Sequence, residues 1–223
     1  MRVLGIETST TQASVALLEA GKVVLERSSA RPKQSAERLL PLIAELLQEA
    51  SWPRGSIDRI GVSVGPGSFT GLRVGIACAQ GLSLGLGVPL VGVGSLRAMA
   101  RAVPKELVGV RCAILDARRS EVFAGAYETG PRAAETLAPL ALPSEGALAS
   151  LAERLPSPVI WIGSGLALLG VSPGCSELGT LEPSAGAVGL LAEELDPATN
   201  PALPVYIRDA GATLPDLGAP AQH

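Results

Sequence analysis

The groups in this chain that could do chemistry are acids, hydroxyls and glycines, because its interior has no imidazole. The single histidine among 223 residues is His223, the last of them. Without an internal imidazole, no H-E-x-x-H metal site, Ser-His-Asp triad or Cys-His pair can be assembled. Cys78, Cys112 and Cys175 are far apart, form no C-x-x-C pair, and read as small apolar fillers. A carboxylate-only magnesium site would need an acidic cluster, and none occurs. The expectation is therefore a chain that holds no metal.

Three short polar stretches remain. Glu7, Thr8, Ser9 and Thr10 follow the apolar run Val3 to Ile6. An acid with hydroxyls after a first strand can contact a nucleotide phosphate or its magnesium, or can simply bond within its own turn. Asp116, Arg118 and Arg119 bring a carboxylate and two guanidiniums to a strand end, as a ligand cluster or as an exposed hairpin tip. Gly163-Ser164-Gly165 could approach an adenosine closely, or be a turn. A general base for phosphotransfer would have to come from Glu7 or Asp116.

The stretch Gly65 to Gly87 carries seven glycines and one charged side chain, Arg73. It fails as a Walker loop, having Thr70 five residues after Gly65 and no lysine. It fails as G-x-G-x-x-G for the same threonine, and Pro66 removes a backbone N–H that an anion nest would use. It reads instead as a turn, a Ser68 cap and one helix. At about 3.6 residues per turn, Phe69, Leu72, Ile76, Ala79, Ser83 and Leu86 form a sheet-facing stripe. Gly71, Gly75, Cys78, Leu82 and Gly85 fall opposite as a smooth groove flanked by Val74, Ala77 and Gly81. Two readings stay open: a helix buried on both sides within the chain, or a groove in which a partner helix lies.

The elements that must position these residues follow from apolar periodicity. Strands are expected at Val3–Ile6, Ala13–Leu18 and Val23–Arg27, then an amphipathic helix carrying Leu39, Leu40, Ile43, Leu46 and Leu47, capped by Ser35 with Glu37 in its first turn. Strand Ile60–Val64, the glycine helix, strand Leu90–Val93 and a shorter helix capped by Ser95 and running to Val103 complete one α/β layer. After Pro104 the pattern restarts with strands Arg111–Leu115 and Glu121–Tyr127. A helix over Ser144–Arg154 out of an alanine- and proline-rich region, strand Val159–Ile162, a helix from Ser184 and a closing strand Pro204–Arg208 follow. Two hairpin-led halves imply two α/β lobes, residues 1–104 and 105–223, the second ending in a loose tail.

Composition bounds the partners. With 47% hydrophobic and 17% charged residues the chain can bury a sizeable core. A net charge of −3 and no Lys/Arg run argue against tight independent binding to a phosphate backbone. The start MRVLGIETST lacks a basic region followed by a long apolar run, and no stretch of about 18 uninterrupted apolar residues occurs, so a cytoplasmic chain without a membrane anchor is expected.

Read together, I-E-T-S-T at Ile6 to Thr10, G-P-G-S-F-T-G-L-R-V-G at Gly65 to Gly75, A-Q-G-L at Ala79 to Leu82, D-A-R at Asp116 to Arg118 and P-V-Y-I-R at Pro204 to Arg208 resemble the bacterial TsaB (YeaZ) family, glycoprotease (M22) homologues, over nearly the whole chain. One departure is Gln34-Ser35, where many relatives carry His-Ser or His-Thr. The resemblance implies the two-lobed α/β fold of the actin, Hsp70 and sugar-kinase superfamily. It also implies a non-catalytic subunit in making threonylcarbamoyladenosine at position 37 of tRNA, which pairs with the catalytic paralogue TsaD and is joined by the ATPase TsaE. Transfer chemistry would belong to TsaD, tRNA would be met through the complex, and ATP or ADP would be bound only there. Partner contacts are expected from Leu39, Leu40, Ile43 and Leu47 of the first helix and Thr70, Gly71, Arg73, Val74, Gly75, Ala77, Cys78, Gly81 and Leu82 of the glycine helix. Together they would make a four-helix contact with TsaD or a second copy. Glu7, Thr8, Ser9, Thr10, Asp116 and Arg118 are the candidate nucleotide contacts. The alternative on the same fold is an ATP-dependent small-molecule phosphotransferase.

Overall fold

Strand β1 (Arg2–Glu7) is apolar on both sides because helices cover both faces of its sheet. Leu4 and Ile6 enter one core cluster and Val3 the other, as the alternation of a strand requires. In the computed structural model, which describes residues 1–29, 35–130, 132–171 and 181–207, β1 pairs antiparallel with β2 (Ser14–Glu19), and β2 with β3 (Lys22–Ser28). Helix α1 (Ser35–Glu49) crosses to β4 (Arg59–Gly65), parallel to β1, and α2 (Phe69–Leu86) crosses to β5 (Leu90–Gly94), parallel to β4. The sheet order is β3-β2-β1-β4-β5.

After α3 (Ser95–Ala102) the order of elements repeats. Strands β6 (Val110–Arg118), β7 (Glu121–Tyr127) and β8 (Glu135–Pro143) form an antiparallel meander, and α4 (Ala147–Arg154) crosses to β9 (Val159–Ile162), parallel to β6. The second sheet runs β8-β7-β6-β9. Helix α5 (Ala185–Glu194), with Ser184 accepting from the Ala187 N–H at its start, is the last helix described.

Strands of the two sheets lie on either side of residue 104, but the helices do not respect that division. Helix α3 packs its Leu96, Met99 and Ala100 on the second sheet, while α5 packs its Val188, Leu191 and Ala192 on the first. The two helices meet between the sheets, where Arg101 and Glu194 pair at 3.3 Å. Arg59 of β4 caps the end of α5, donating to the carbonyls of Ala192 (2.9 Å), Leu195 (3.2 Å) and Glu193 (3.3 Å). Arg111, 2% exposed, donates to the carbonyls of Ala100 and Pro104.

Three sequence expectations need correction here. Strand β8 was missed, because Pro139 and Pro143 read as breakers, but it is an edge strand, where a missing ladder N–H is tolerated. Pro204 to Ile207 is not a strand; it is an extended strap that touches β4 through the Val205 N–H to Val64 carbonyl bond, 2.7 Å. Ser95 is the first residue of α3, with Gly94 at the cap position. The expectations for Gln34, Cys175, Arg208 and the tail from Ala212, and for the side chains of Ser35 and Glu37, lie outside the described residues.

Candidate functional site

The two motifs singled out in the sequence pack on each other. The loop after strand β1 delivers Thr8 and Ser9 beneath the turn that starts α2, while Glu7 lies on the other face of the sheet, opposite Ser14, whose hydroxyl accepts from the Ala185 N–H of α5 at 3.1 Å. The Ser68 N–H donates to the Ser9 carbonyl (2.7 Å), and the Ser68 hydroxyl accepts from the Gly71 N–H (3.2 Å). A Cβ at Gly71 would strike the Thr8 carbonyl, and one at Gly75 would strike the Thr8 side chain. These glycines therefore let α2 settle directly on the loop after β1.

Burial follows for the loop: Glu7 and Thr8 are 0% and Ser9 2% exposed. The Thr8 N–H donates to the Ser63 hydroxyl at 3.2 Å, and one Glu7 carboxylate oxygen accepts from the Ser9 N–H. Loss of water around Glu7 pushes its carboxyl up to about 7, against the pull of the Ser9 N–H and with a further push from Glu182. Its other oxygen, Thr8 Oγ1 and Ser9 Oγ have no hydrogen-bond partner among the described residues. Glu7, Thr8 and Ser9 are thus covered, which removes them as direct phosphate contacts and removes Glu7 as an accessible base. Thr10 stays half-exposed, its hydroxyl donating to the Gln12 carbonyl (3.3 Å).

Asp116 and Arg118 lie at the β6–β7 turn, far along the chain from Glu7. One Asp116 oxygen accepts from the Arg118 N–H (2.7 Å) and the other pairs with its guanidinium (3.3 Å), so the cluster satisfies itself as an exposed tip. Gly163 has φ 112° and packs on the Ile114 carbonyl as a turn. No group of three potential metal ligands occurs among the described residues. An open hollow of about 500 Å³ bounded by Glu128, Thr129, Arg132 and Glu194 holds none of the motif residues.

What the site presents instead is the outward side of α2. Leu72, Ile76 and Ala79 enter the first core as the wheel predicts, and Gly71 and Gly75 are buried too. The exposed side carries Thr70, Arg73, Ala77, Gln80, Gly81, Leu84 and Gly85, with Val74 half-buried. A Cβ at Gly81 or Gly85 would meet nothing within 4 Å. Leu84 is 87% exposed, and α1, which packs beside α2, adds Leu40 at 56%. By length and composition α2 could cross a membrane, but it joins two neighbouring strands of one sheet and contributes to its core.

The expected partner surface is corrected accordingly. Leu39, Ile43 and Leu47 are buried in the chain's own core, and Gly71 and Gly75 are covered by Thr8; Cys78 and Leu82 are half-buried against the same core. Leu40, Thr70, Arg73, Val74, Ala77 and Gly81 remain on the outer side. Phe69, expected in the core, is 50% exposed: it is the first residue of α2 and stacks on Tyr206 of the strap, ring centroids 5.2 Å apart. Tyr206, Leu203 and Leu84 were missed as surface residues. The sequence signal for Tyr206 was the P-V-Y-I-R stretch itself, and Leu84 lay within the charge-free glycine helix.

Comparisons with known proteins identify what the chain is similar to. A family model described as TsaD: tRNA N6-adenosine threonylcarbamoyltransferase matches residues 26–153. The tRNA threonylcarbamoyladenosine biosynthesis protein TsaB of Escherichia coli is 37% identical over 129 residues, 57% of this chain and 55% of that protein, so the chain spans about half the length of this curated relative. YeaZ from Pseudomonas aeruginosa superposes with a TM-score of 0.73 at 31% identity, covering 92% of this chain and 99% of that one. The activator of 2-hydroxyisocaproyl-CoA dehydratase from Clostridium difficile, solved with ADPNP, has a TM-score of 0.53 at 11% identity over 87% of this chain and 95% of that one, a likeness of fold alone. The fold, two successive mixed α/β sheets, is the one these solved structures share.

Proposed function

The chain belongs to the TsaB (YeaZ) family, and from that membership we propose that it is a non-catalytic subunit of the cytoplasmic machinery that places threonylcarbamoyl on N6 of adenosine 37 of tRNA. It pairs with the TsaD paralogue through the outward side of α2 and the neighbouring Leu40 of α1, and the pair receives the ATPase TsaE. The carrying observation is that side itself: Thr70, Val74, Ala77, Gly81 and Leu84 make a small, apolar and uncovered surface with one charge. An apolar helix face of this length is normally covered in a working protein. Small residues at Ala77 and Gly81 let a second helix approach closely, the geometry of a helical bundle contact.

The scaffold role is supported by what the chain lacks for transfer chemistry. Its interior has no imidazole, and its candidate acid, Glu7, is fully buried. Nucleotide and tRNA are bound by the assembled complex, with no cofactor held by this chain alone. The phosphotransferase reading has no exposed base at the β1 turn to support it.

The test is Gly81→Arg. The helix has open space there, so the variant keeps its melting temperature while a bulky charge enters the contact. Expected is loss of co-elution with TsaD and of threonylcarbamoyl transfer by the reconstituted complex. Normal pairing by this variant would overturn the assignment of the surface. Threonylcarbamoyl transfer by the isolated chain would overturn the non-catalytic role.

A further inference from the structure

Arg73 is the only charged side chain on α2, and it is held rather than free. Its guanidinium carbon lies 3.7 Å from the Phe69 ring centroid and 5.8 Å from that of Tyr206, and its Nε donates to the Tyr206 hydroxyl at 3.0 Å. Among the described residues its two terminal nitrogens have no hydrogen-bond partner. Arg2, Arg27, Arg38, Arg101 and Arg118, by contrast, each pair with a carboxylate. Phe69 is 50% and Tyr206 46% exposed, and the strap carries two further exposed apolar side chains, Val205 at 46% and Leu203 at 60%.

From this arrangement we infer that Phe69, Arg73 and Tyr206 form a preassembled socket for an Asp or Glu carboxylate of a protein partner docked along α2. The inference rests on the pairing proposed above and names the chemistry that anchors it. A guanidinium presents parallel N–H donors that match a carboxylate, and stacking leaves little side-chain entropy to lose on binding. A partner docked over the Phe69 and Tyr206 rings would exclude water from the guanidinium, which strengthens a charge-assisted hydrogen bond, and an arginine with aromatic neighbours is the composition of an interface hot spot.

Two other occupants fit less well. A second copy brings no acid on α2, and the described acids on the exposed side of α1, Glu45 and Glu49, are paired with Arg38 and Arg27. RNA would meet a chain of net charge −3 in which Arg73 is isolated from other cations on its helix.

The experiment is calorimetric titration of the full-length chain with the TsaD paralogue, alongside Arg73→Glu, Arg73→Lys and Tyr206→Phe, each checked for an unchanged melting temperature. Expected weakening is about 100-fold or more for Arg73→Glu, about 10-fold for Arg73→Lys, which keeps charge but loses the planar fork, and about 3-fold for Tyr206→Phe. Rescue of Arg73→Glu by one Asp or Glu to Lys substitution on the paralogue would support the socket directly. If the wild-type chain binds the paralogue and Arg73→Glu binds within about 2-fold of it, the socket is wrong while the pairing stands. If the wild-type chain does not bind at all, the pairing itself fails. Arg73→Glu acting on a tRNA transcript alone, or on self-association alone, would overturn the assignment to a protein partner's carboxylate.

Discussion

The Thr8 side chain occupies the space that a side chain at Gly75 would need, so the loop after β1 and the middle of α2 form one packed unit. About five turns of a nearly uncharged helix are thereby fixed in rotation: the glycines that touch Thr8 face inward, and those that touch nothing face out. The two sets predict opposite responses to the same substitution.

Gly75→Ala should lower unfolding free energy by about 1–3 kcal/mol, because the added methyl must displace Thr8 in a buried contact. Gly81→Ala, on the open side of the same helix, should raise it by about 0.5–1 kcal/mol through helix propensity. Urea denaturation of both variants checks the pair. Equal effects of the same sign would mean that the rotation of α2 is misassigned.

Phe69→Ala removes an exposed ring whose contacts are Tyr206 and Arg73. The expected loss of stability is about 1 kcal/mol or less, within the range of surface ring and cation–π contacts. A thermal melt showing a loss near the ~3–5 kcal/mol of a core phenylalanine would contradict its exposed position.

Burial raises the Glu7 carboxyl from 4.5 to about 7, so the folded chain retains a proton there that the unfolded chain has already released. The folded state then binds more protons between these values, and its stability falls as pH rises. The contribution is fully present below pH 4.5, declines toward pH 7 and is flat above it, with a total on the order of 3 kcal/mol. Glu7→Gln, which keeps the shape without the titration, should remove this slope in denaturation curves taken across that range. A slope unchanged in the variant would assign the pH dependence to another group.

Arg59→Met keeps the aliphatic stem and deletes the cap on α5. The three carbonyls it leaves are at the end of a helix that packs on the first sheet, so a loss of about 1–3 kcal/mol is expected. Hydrogen exchange should show it first in the last turn of α5. Unchanged protection there would show that the contacts do not hold the helix end.

The chain's own pattern determined the order of its elements and much of its chemistry. Alternation in Val3–Ile6 and Ala13–Leu18, helical spacing in Leu39–Leu47 and the restart after Pro104 are local, because backbone period and side-chain burial are coupled within each element. The missing internal imidazole likewise excludes histidine chemistry without any coordinates. Tertiary structure alone decided which side of α2 faces out, since glycine, alanine and small apolar residues surround that helix and give a wheel little contrast to orient. The turn Thr8 supplies the orientation, from the end of a strand distant in sequence. The same holds for Phe69, which a wheel assigns to the sheet face, although the first residue of α2 overhangs the end of β4 and finds Tyr206 instead of a core. Glu7 completes the point: an acid beside hydroxyls looks like a ligand site in sequence, and only the fold shows that its side chain is fully buried.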